Sequence, residues 1–376
     1  MSSPQQVAAA LFDELDGFGA AAPPGGSFDP AAIELIVDRG LSGISVPKAV
    51  GGKELALVDV VDVWLELARA DGSIGWVAFA MDTGLAYFGA YLPDEGVADL
   101  FADGLPLLAG QFAPNGTATQ DGDGWVVDGS YQFGSGLTIA NLAGCGFFST
   151  PADGSDAGYR FGCFPIDQAE LQGGWDVLGL QATQSVDYSV RGVRIPDRHT
   201  FDFFAPIRHR GSAMHHLGVL PLTAVGHAAW ALGVTRRVLD ELQTAAGRTR
   251  MGAPSSIGDS DHGLITIARL ESQYASGRAW VREVCEQAEA ECSASGEFLS
   301  VATSNLVRQA CVHVNQTGVE IAEAAYRLAG TVALRDGGLQ RAFRDLHAGG
   351  QHFFASNAAS LDWARTLLTP PDQQGT

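Results

Sequence analysis

One block of the chain, about a hundred residues long, alternates short apolar runs with Gly/Asp/Asn clusters and stands between two long regions of helical period. That order constrains the fold more than any single motif does. Before the block, Val58, Val61, Trp64, Leu67 and Ala68 recur at helical spacing between Glu54 and Ala70. A second helical stretch begins near Asp71 and runs through Trp76 to Phe88. The pattern changes near Leu105-Pro106. Apolar runs then appear at 107–112, 125–133, 143–149, 159–165 and 187–193. Asp121-Gly122-Asp123-Gly124 is a strong hairpin signal. Past Pro206 the helical period returns, with Leu264, Ile267, Leu270 and Tyr274 leading into one long helix. Another covers about 301–328, ending at Gly330, and a last runs from near Leu339 to about Leu368, stopped by Pro370-Pro371.

These boundaries give an α+β chain of three units. They are an N-terminal helical domain (1–105), a central antiparallel β-barrel-like domain (106–205) and a C-terminal helical bundle (206–376). The uncharged stretch from Leu217 to Thr235 is long enough to reach across a bilayer. It carries Pro221, Gly226, His227 and Gly233, which argue for a buried core helix instead.

Charge narrows the function classes. Lys+Arg is 23 against Asp+Glu 43, a formal net charge of -20. Such a surface repels nucleic-acid backbones and anionic membranes, so neither is an expected partner. The five cysteines, at 145, 163, 285, 292 and 311, form no CxxC pair and read as buried thiols in a reducing cytoplasm. Met1 to Ala10 shows no basic region and no long apolar run, so no secretory signal is read there. The 47 glycines and abundant alanine suggest high-GC, bacterial codon usage.

The familiar motifs fail. Gly17-Phe18-Gly19 follows no strand and runs into Pro23-Pro24, so it is no dinucleotide loop. Gly52-Lys53 is followed by Glu54, which excludes a Walker A loop. Phe133, two residues before Ser135, excludes a nucleophile elbow there. His347 and His352 are five apart and diverge by about 140° on a helix, so no metal site is expected.

Four local patterns, in order, carry a family resemblance. They are GISVPKAVGG at Gly43 to Gly52, ARADGSIGW at Ala68 to Trp76, the β region, and LQRAFRDLHAGGQH at Leu339 to His352. Within the β region lie GQFAPNG from Gly110, GSYQFGSG from Gly129 and WDVLGLQATQSVDYSV from Trp175. Together they resemble the acyl-CoA dehydrogenase superfamily, and within it the group D, two-component flavin-dependent monooxygenases.

Acid-base chemistry separates the two branches. The dehydrogenases abstract a proton with a Glu nine residues after the Arg of the last Arg-Asp motif. Counting from Arg344 gives Phe353 here. A minority places that Glu in the helix after the β domain, at about Thr223 in this chain. Both base positions are empty. A carboxylate base is worth about 3–5 kcal/mol of barrier, so desaturation is hard to reconcile with this sequence.

The resemblance instead implies an oxygenase component. A separate flavin reductase would supply FADH2 or FMNH2, O2 would be the co-substrate, and a flavin C4a-hydroperoxide would hydroxylate an aromatic or electron-rich small molecule. It implies that His352, beside the lost Glu position, helps form or hold that species or deprotonates the substrate. A hydrogen-bonded core histidine is the plainer alternative. It implies a hydroxyl and N–H from Ser135 to the flavin and an aromatic packing surface from Phe133, which a plain inward strand residue would also satisfy. The backbone of Gln111, Phe112 and Ala113 would meet the flavin pyrimidine edge. Arg248 and Arg250 resemble the place where a neighbouring subunit reaches the flavin diphosphate, exposed arginines being the alternative. His227 is placed toward the substrate cavity, a core histidine being the alternative. Arg344-Asp345 reads as a structural pair. A homotetramer in the cytoplasm is implied as well. Two other readings stand beside this one: an acyl-CoA dehydrogenase-like enzyme with an atypical base, and a redox-inactive biosynthetic member.

Overall fold

The computed structural model describes residues 2–151, 158–248 and 256–369. Arg250 lies outside the described residues.

Six helices come first: α1 (Pro4–Ala10), α2 (Phe12–Ala21), α3 (Ala31–Asp38), α4 (Leu57–Ala70), α5 (Gly72–Tyr91) and α6 (Asp94–Leu100). Helix α5 is apolar all round and buried along almost its whole length, as a helix without a polar face must be. Asp71 caps it by accepting hydrogen bonds from Ser73 N (3.0 Å) and Ile74 N (3.1 Å).

Seven strands follow: β1 (Leu108–Asp121), β2 (Gly124–Gly134), β3 (Leu142–Thr150), β4 (Gly158–Pro165), β5 (Glu170–Gln172), β6 (Val186–Pro196) and β7 (Thr200–Asp202). They form one sheet in the order β5-β6-β2-β1-β3-β4-β7. The Asp-Gly-Asp-Gly signal is the β1–β2 hairpin, with Asp121 opposite Gly124. The sheet is mixed and open rather than a closed antiparallel barrel. β1 and β3 run parallel, and every other neighbouring pair is antiparallel. The reason is topological: β2 occupies one edge of β1, and β3 arrives at the other edge by a crossover.

The helical bundle comprises α7 (Val219–Ala246), α8 (Asp261–Ser295), α9 (Val301–Ala329), α10 (Gly338–Gly349) and α11 (Asn357–Leu368). The uncharged stretch is the buried first half of α7, which packs on α4, α5, α9 and α10. No helix among the described residues is long and apolar enough to cross a membrane.

The single last helix expected from Leu339 to Leu368 is broken. α10 stops at Gly349, where a Cβ would lie 2.2 Å from the Trp230 ring. A short 3-10 turn, Phe353–Ala355, separates it from α11, and His352 precedes that turn off any α-helix.

Candidate active site

Two irregularities in the sheet create the site. Along β1, residues 112–115 stand opposite Gly146 alone, because pairing with β3 runs through Gln111↔Cys145 and resumes at Gly116↔Phe147. Along β2, Gln132 and Phe133 stand opposite Asp187 alone. Bulges of this kind re-aim side chains. β1 and β2 pair only from Gly116↔Gly129 to Asp121↔Gly124, so the two strands part where the bulges lie. Gln111 Nε2 spans the opening to Gln132 O at 3.5 Å.

Phe133 adopts φ +64°, unfavourable for an aromatic L-residue, and leaves 57% of its surface exposed. Its N–H donates to Asp187 Oδ1 at 3.2 Å. Its ring meets Trp175 edge-on, with centroids 5.9 Å apart. Ser135 follows with its N–H on Phe133 O (2.9 Å) and its hydroxyl 2.9 Å from that of Ser185, which lies 2.5 Å from Thr183 Oγ1.

The loop carrying those hydroxyls is held under strain. Of four non-glycine residues with positive φ among the described residues, three are here: Phe133, Leu180 and Gln184. Gln184 is fixed by Thr138 and by the carbonyl of Phe28. Leu180 N donates to Asp345 Oδ1 at 2.6 Å. Burial, reinforced by the charge of Asp71, raises the Asp345 carboxyl to about 7. Asp345 therefore ties α10 to the loop beneath Ser135.

The second half of the site is aromatic. The rings of His227 (α7) and His352 stack with centroids 4.3 Å apart and planes 24° apart. Trp76 of α5 stands edge-on to His227 (4.9 Å), to His352 (5.5 Å) and to Trp230 (4.9 Å). Phe79 lies 4.9 Å from His227 and Phe354 5.0 Å from it. Phe112, from the β1 bulge, completes the enclosure against Phe354 at 6.1 Å and Phe203 at 5.3 Å. The two halves adjoin at Gly136. A Cβ there would lie 2.7 Å from Met81 Cε and 3.1 Å from Val77 Cγ1, next to Trp76 on α5.

Electrostatically the pair is neutral. Burial lowers the His352 imidazole to about 4, and burial together with His352 holds His227 well below the ordinary range. Both are uncharged at neutral pH. His352 Nδ1 accepts from Phe354 N at 3.4 Å, which leaves Nε2 to carry its proton. His227 Nδ1 donates to Thr223 O at 2.9 Å, and His227 Nε2 is buried without a partner. The hydrogen-bond partners of neither histidine include a carboxylate. Thr223, one vacant base position, is a buried threonine bonded to Tyr87 through its hydroxyl. Phe353, the other, is half-exposed.

The remaining expected residues are less concentrated. Gln111 N donates to Tyr188 OH at 2.9 Å, and Gln111 Oε1 accepts from Ala113 N at 3.1 Å. Arg248 is exposed just beyond the end of α7. Trp76, Phe79, Trp175, Thr183, Ser185 and Phe354 were not singled out from sequence. Trp76 and the 175–190 stretch lay inside the quoted patterns, but nothing local assigns their side chains to one site. Among the described residues no group of three or more His, Cys, Asp or Glu is placed to hold a metal, and the five cysteines are free and buried.

Comparison with known families decides the affiliation. Residues 9–92 match the acyl-CoA dehydrogenase N-terminal domain, and residues 225–357 match the acyl-CoA dehydrogenase C-terminal domain. The chain belongs to the acyl-CoA dehydrogenase superfamily. Relatives similar to it within the superfamily include oxygenases. The chain is 29% identical over 332 residues to indole-3-acetate monooxygenase of Pseudomonas putida, covering 86% of this chain and 82% of that protein. It is 24% identical over 335 residues to the oxygenase component of p-hydroxyphenylacetate 3-hydroxylase of Acinetobacter baumannii, covering 86% and 78%. The fold matches that of XiaF from Streptomyces sp., solved in complex with FADH2 and glycerol, with TM-score 0.86, 16% identity and 97% of each chain covered.

Proposed function

We propose that this protein is the oxygenase component of a two-component, reduced-flavin-dependent monooxygenase that hydroxylates an aromatic or electron-rich small molecule. The observation that carries the reading is the His227–His352 pair. It is neutral, stacked and free of carboxylate partners, at the place where a dehydrogenase of this superfamily needs an ionised Glu. The relatives named as monooxygenases and hydroxylases support it.

The residues present fit a flavin. An isoalloxazine ring needs a flat apolar surface and a few hydrogen-bond donors at its polar edge. Phe133, exposed on a strained bulge beside Trp175, supplies the first, and the Ser135–Ser185–Thr183 hydroxyl chain supplies the second. Strain retained at an exposed aromatic is the mark of a pre-organised ligand surface. Gln111, Phe112 and Ala113 would border the ring. Arg248 and Arg250 would serve the phosphates, from a neighbouring copy in a homotetramer. FADH2 or FMNH2, when bound, supplies the activation of O2.

The chain's own part is positioning and the exclusion of water. His352 holds its proton at Nε2 as one neutral donor, inside a wall formed by Trp76 and Phe354. Asp345, through Leu180, keeps the Ser135 loop in register. A separate reductase would supply the reduced flavin, a reading supported by the relative named as an oxygenase component. A bacterial cytoplasm suits a chain with five free, buried thiols. Residues 1–105, 106–205 and 206–376 are taken as its three units.

The test is His352→Ala. Product formation from reduced flavin, O2 and an accepted aromatic should fall by at least about 100-fold, the usual scale for a lost proton-handling group. Reduced-flavin binding should stay within a few-fold. Unchanged hydroxylation would overturn the assignment.

A further inference from the structure

Among the rings of Trp76, Phe79, His352 and Phe354, His227 Nε2 is a fully buried polar atom without a hydrogen-bond partner. The Nδ1 of the same ring is committed to the helix carbonyl of Thr223 at 2.9 Å. A carbonyl only accepts, so Nδ1 carries the proton and Nε2 presents a bare lone pair. That Nε2 is fully buried and has no partner, in a residue only 6% exposed. A buried acceptor in this state costs free energy, and native proteins retain such atoms mainly where something else satisfies them.

The surroundings say what that partner must be. The His227 ring is in contact with Trp76, Phe79, Phe354 and His352. Phe79 and Phe354 have no donor to offer, and the Trp76 indole, although it carries an N–H, makes no hydrogen bond to His227 Nε2. The fourth, His352, is stacked face to face with planes 24° apart, a geometry in which neither ring points a nitrogen at the other. The missing donor therefore comes from outside the chain, and it must sit on something flat enough to lie among aromatic rings.

We infer that His227 Nε2 is the substrate-recognising acceptor of this site, and that the substrate is a planar aromatic molecule bearing an N–H or O–H donor on its ring. This rests on the oxygenase reading above and assigns the two histidines different valences. His352 presents a donor. His227, locked by Thr223, presents an acceptor and selects the ring that carries a matching proton. Thr223 is then not merely a vacated base position. Its carbonyl fixes the tautomer that makes the recognition possible.

The experiment uses the full chain loaded with reduced FAD or FMN under anaerobic conditions. Dissociation constants are measured for two isosteric pairs, indole against benzofuran and phenol against fluorobenzene. In each pair only the first member has the donor. Wild-type protein should prefer the donor-bearing member of at least one pair by about ten-fold or more, the scale set by leaving one buried acceptor unpaired. His227→Phe should reduce that preference to about one, mainly through weaker binding of the donor-bearing ring. His227→Gln, which restores an acceptor, should recover part of it and guards against misfolding of the Phe variant. A preference that survives in His227→Phe, or no donor preference in either pair with wild-type protein, overturns the inference. The two readings fail separately. Donor-selective, His227-dependent binding with no oxygenated product would leave this inference standing and remove the oxygenase reading. Hydroxylation with no His227-dependent preference would do the reverse.

Discussion

Replacing Gly179 with alanine places a methyl carbon 2.0 Å from the Arg344 carbonyl oxygen, 2.3 Å from that carbonyl carbon and 2.7 Å from Asp345 N. All three are backbone atoms of α10, so no side-chain rotation relieves the overlap. The loop must instead separate from the helix by about 1 Å, and overpacking of this kind costs about 1–3 kcal/mol. The separation also stretches the 2.6 Å hydrogen bond from Leu180 N to Asp345 Oδ1. Leaving that buried acceptor unpaired adds about 1–3 kcal/mol. The sum is about 2–6 kcal/mol. With an unfolding entropy of about 2.1 cal/mol/K per residue over 376 residues, Tm should fall by about 3–8 °C. Because the loop continues through Thr183 to Ser185 and Ser135, reduced-flavin affinity should drop with it. Gly173→Ala is the control: a Cβ there meets nothing within 4 Å. Calorimetry and flavin titration of the two variants decide the matter. If Gly179→Ala melts and binds flavin as Gly173→Ala does, the close loop–helix contact and its role are refuted.

Two further expectations follow from named residues. Phe133→Gly removes the penalty of φ +64° and should raise stability by about 1 kcal/mol in urea unfolding, while weakening flavin binding through loss of the exposed ring. A variant that both unfolds earlier and binds flavin normally would contradict both halves. His352, lowered to about 4 from an ordinary value of 6.5, is protonated more readily in the unfolded chain. Its burial carries no penalty above pH 6.5, and stability is lost as pH falls from there toward 4. His352→Gln should therefore gain about 2 kcal/mol on wild type between pH 7.5 and pH 5, measured by urea unfolding at both pH values. A difference that does not change with pH would show the imidazole to be unperturbed.

Local signals in the sequence reached the helices, the β1–β2 hairpin and the order of the units, because periodicity and turn chemistry are properties of neighbouring residues. α4, α5 and α9 fall close to where the apolar spacing puts them. The break at Gly349–Gly350 was not legible. The apolar period continues across it, and the close approach that leaves no room for a side chain at Gly349 is made by the Trp230 ring, which comes from α7. The parallel β1–β3 pair was hidden for a similar reason: strand order in a sheet is set by distant partners. The site shows the same division. The family pattern points to His352, Ser135 and Phe133, but not to the Leu180–Asp345 hydrogen bond between residues 165 apart. Nor does any local rule give an aromatic residue a left-handed backbone. Asp187, across the sheet, holds Phe133 there. Sequence left His227 open between substrate contact and core residue. The unpartnered Nε2 is a fact of packing that only the folded chain displays.

The most direct measurement is the reaction of the protein's reduced flavin with oxygen. Purified protein is mixed anaerobically with photoreduced FAD or FMN, then rapidly with oxygenated buffer, with and without indole, while absorbance is recorded. The account predicts a transient near-ultraviolet band, followed by slow appearance of the oxidised-flavin spectrum. Appearance of oxidised flavin at the free-solution rate under both conditions, with no preceding band, would contradict it.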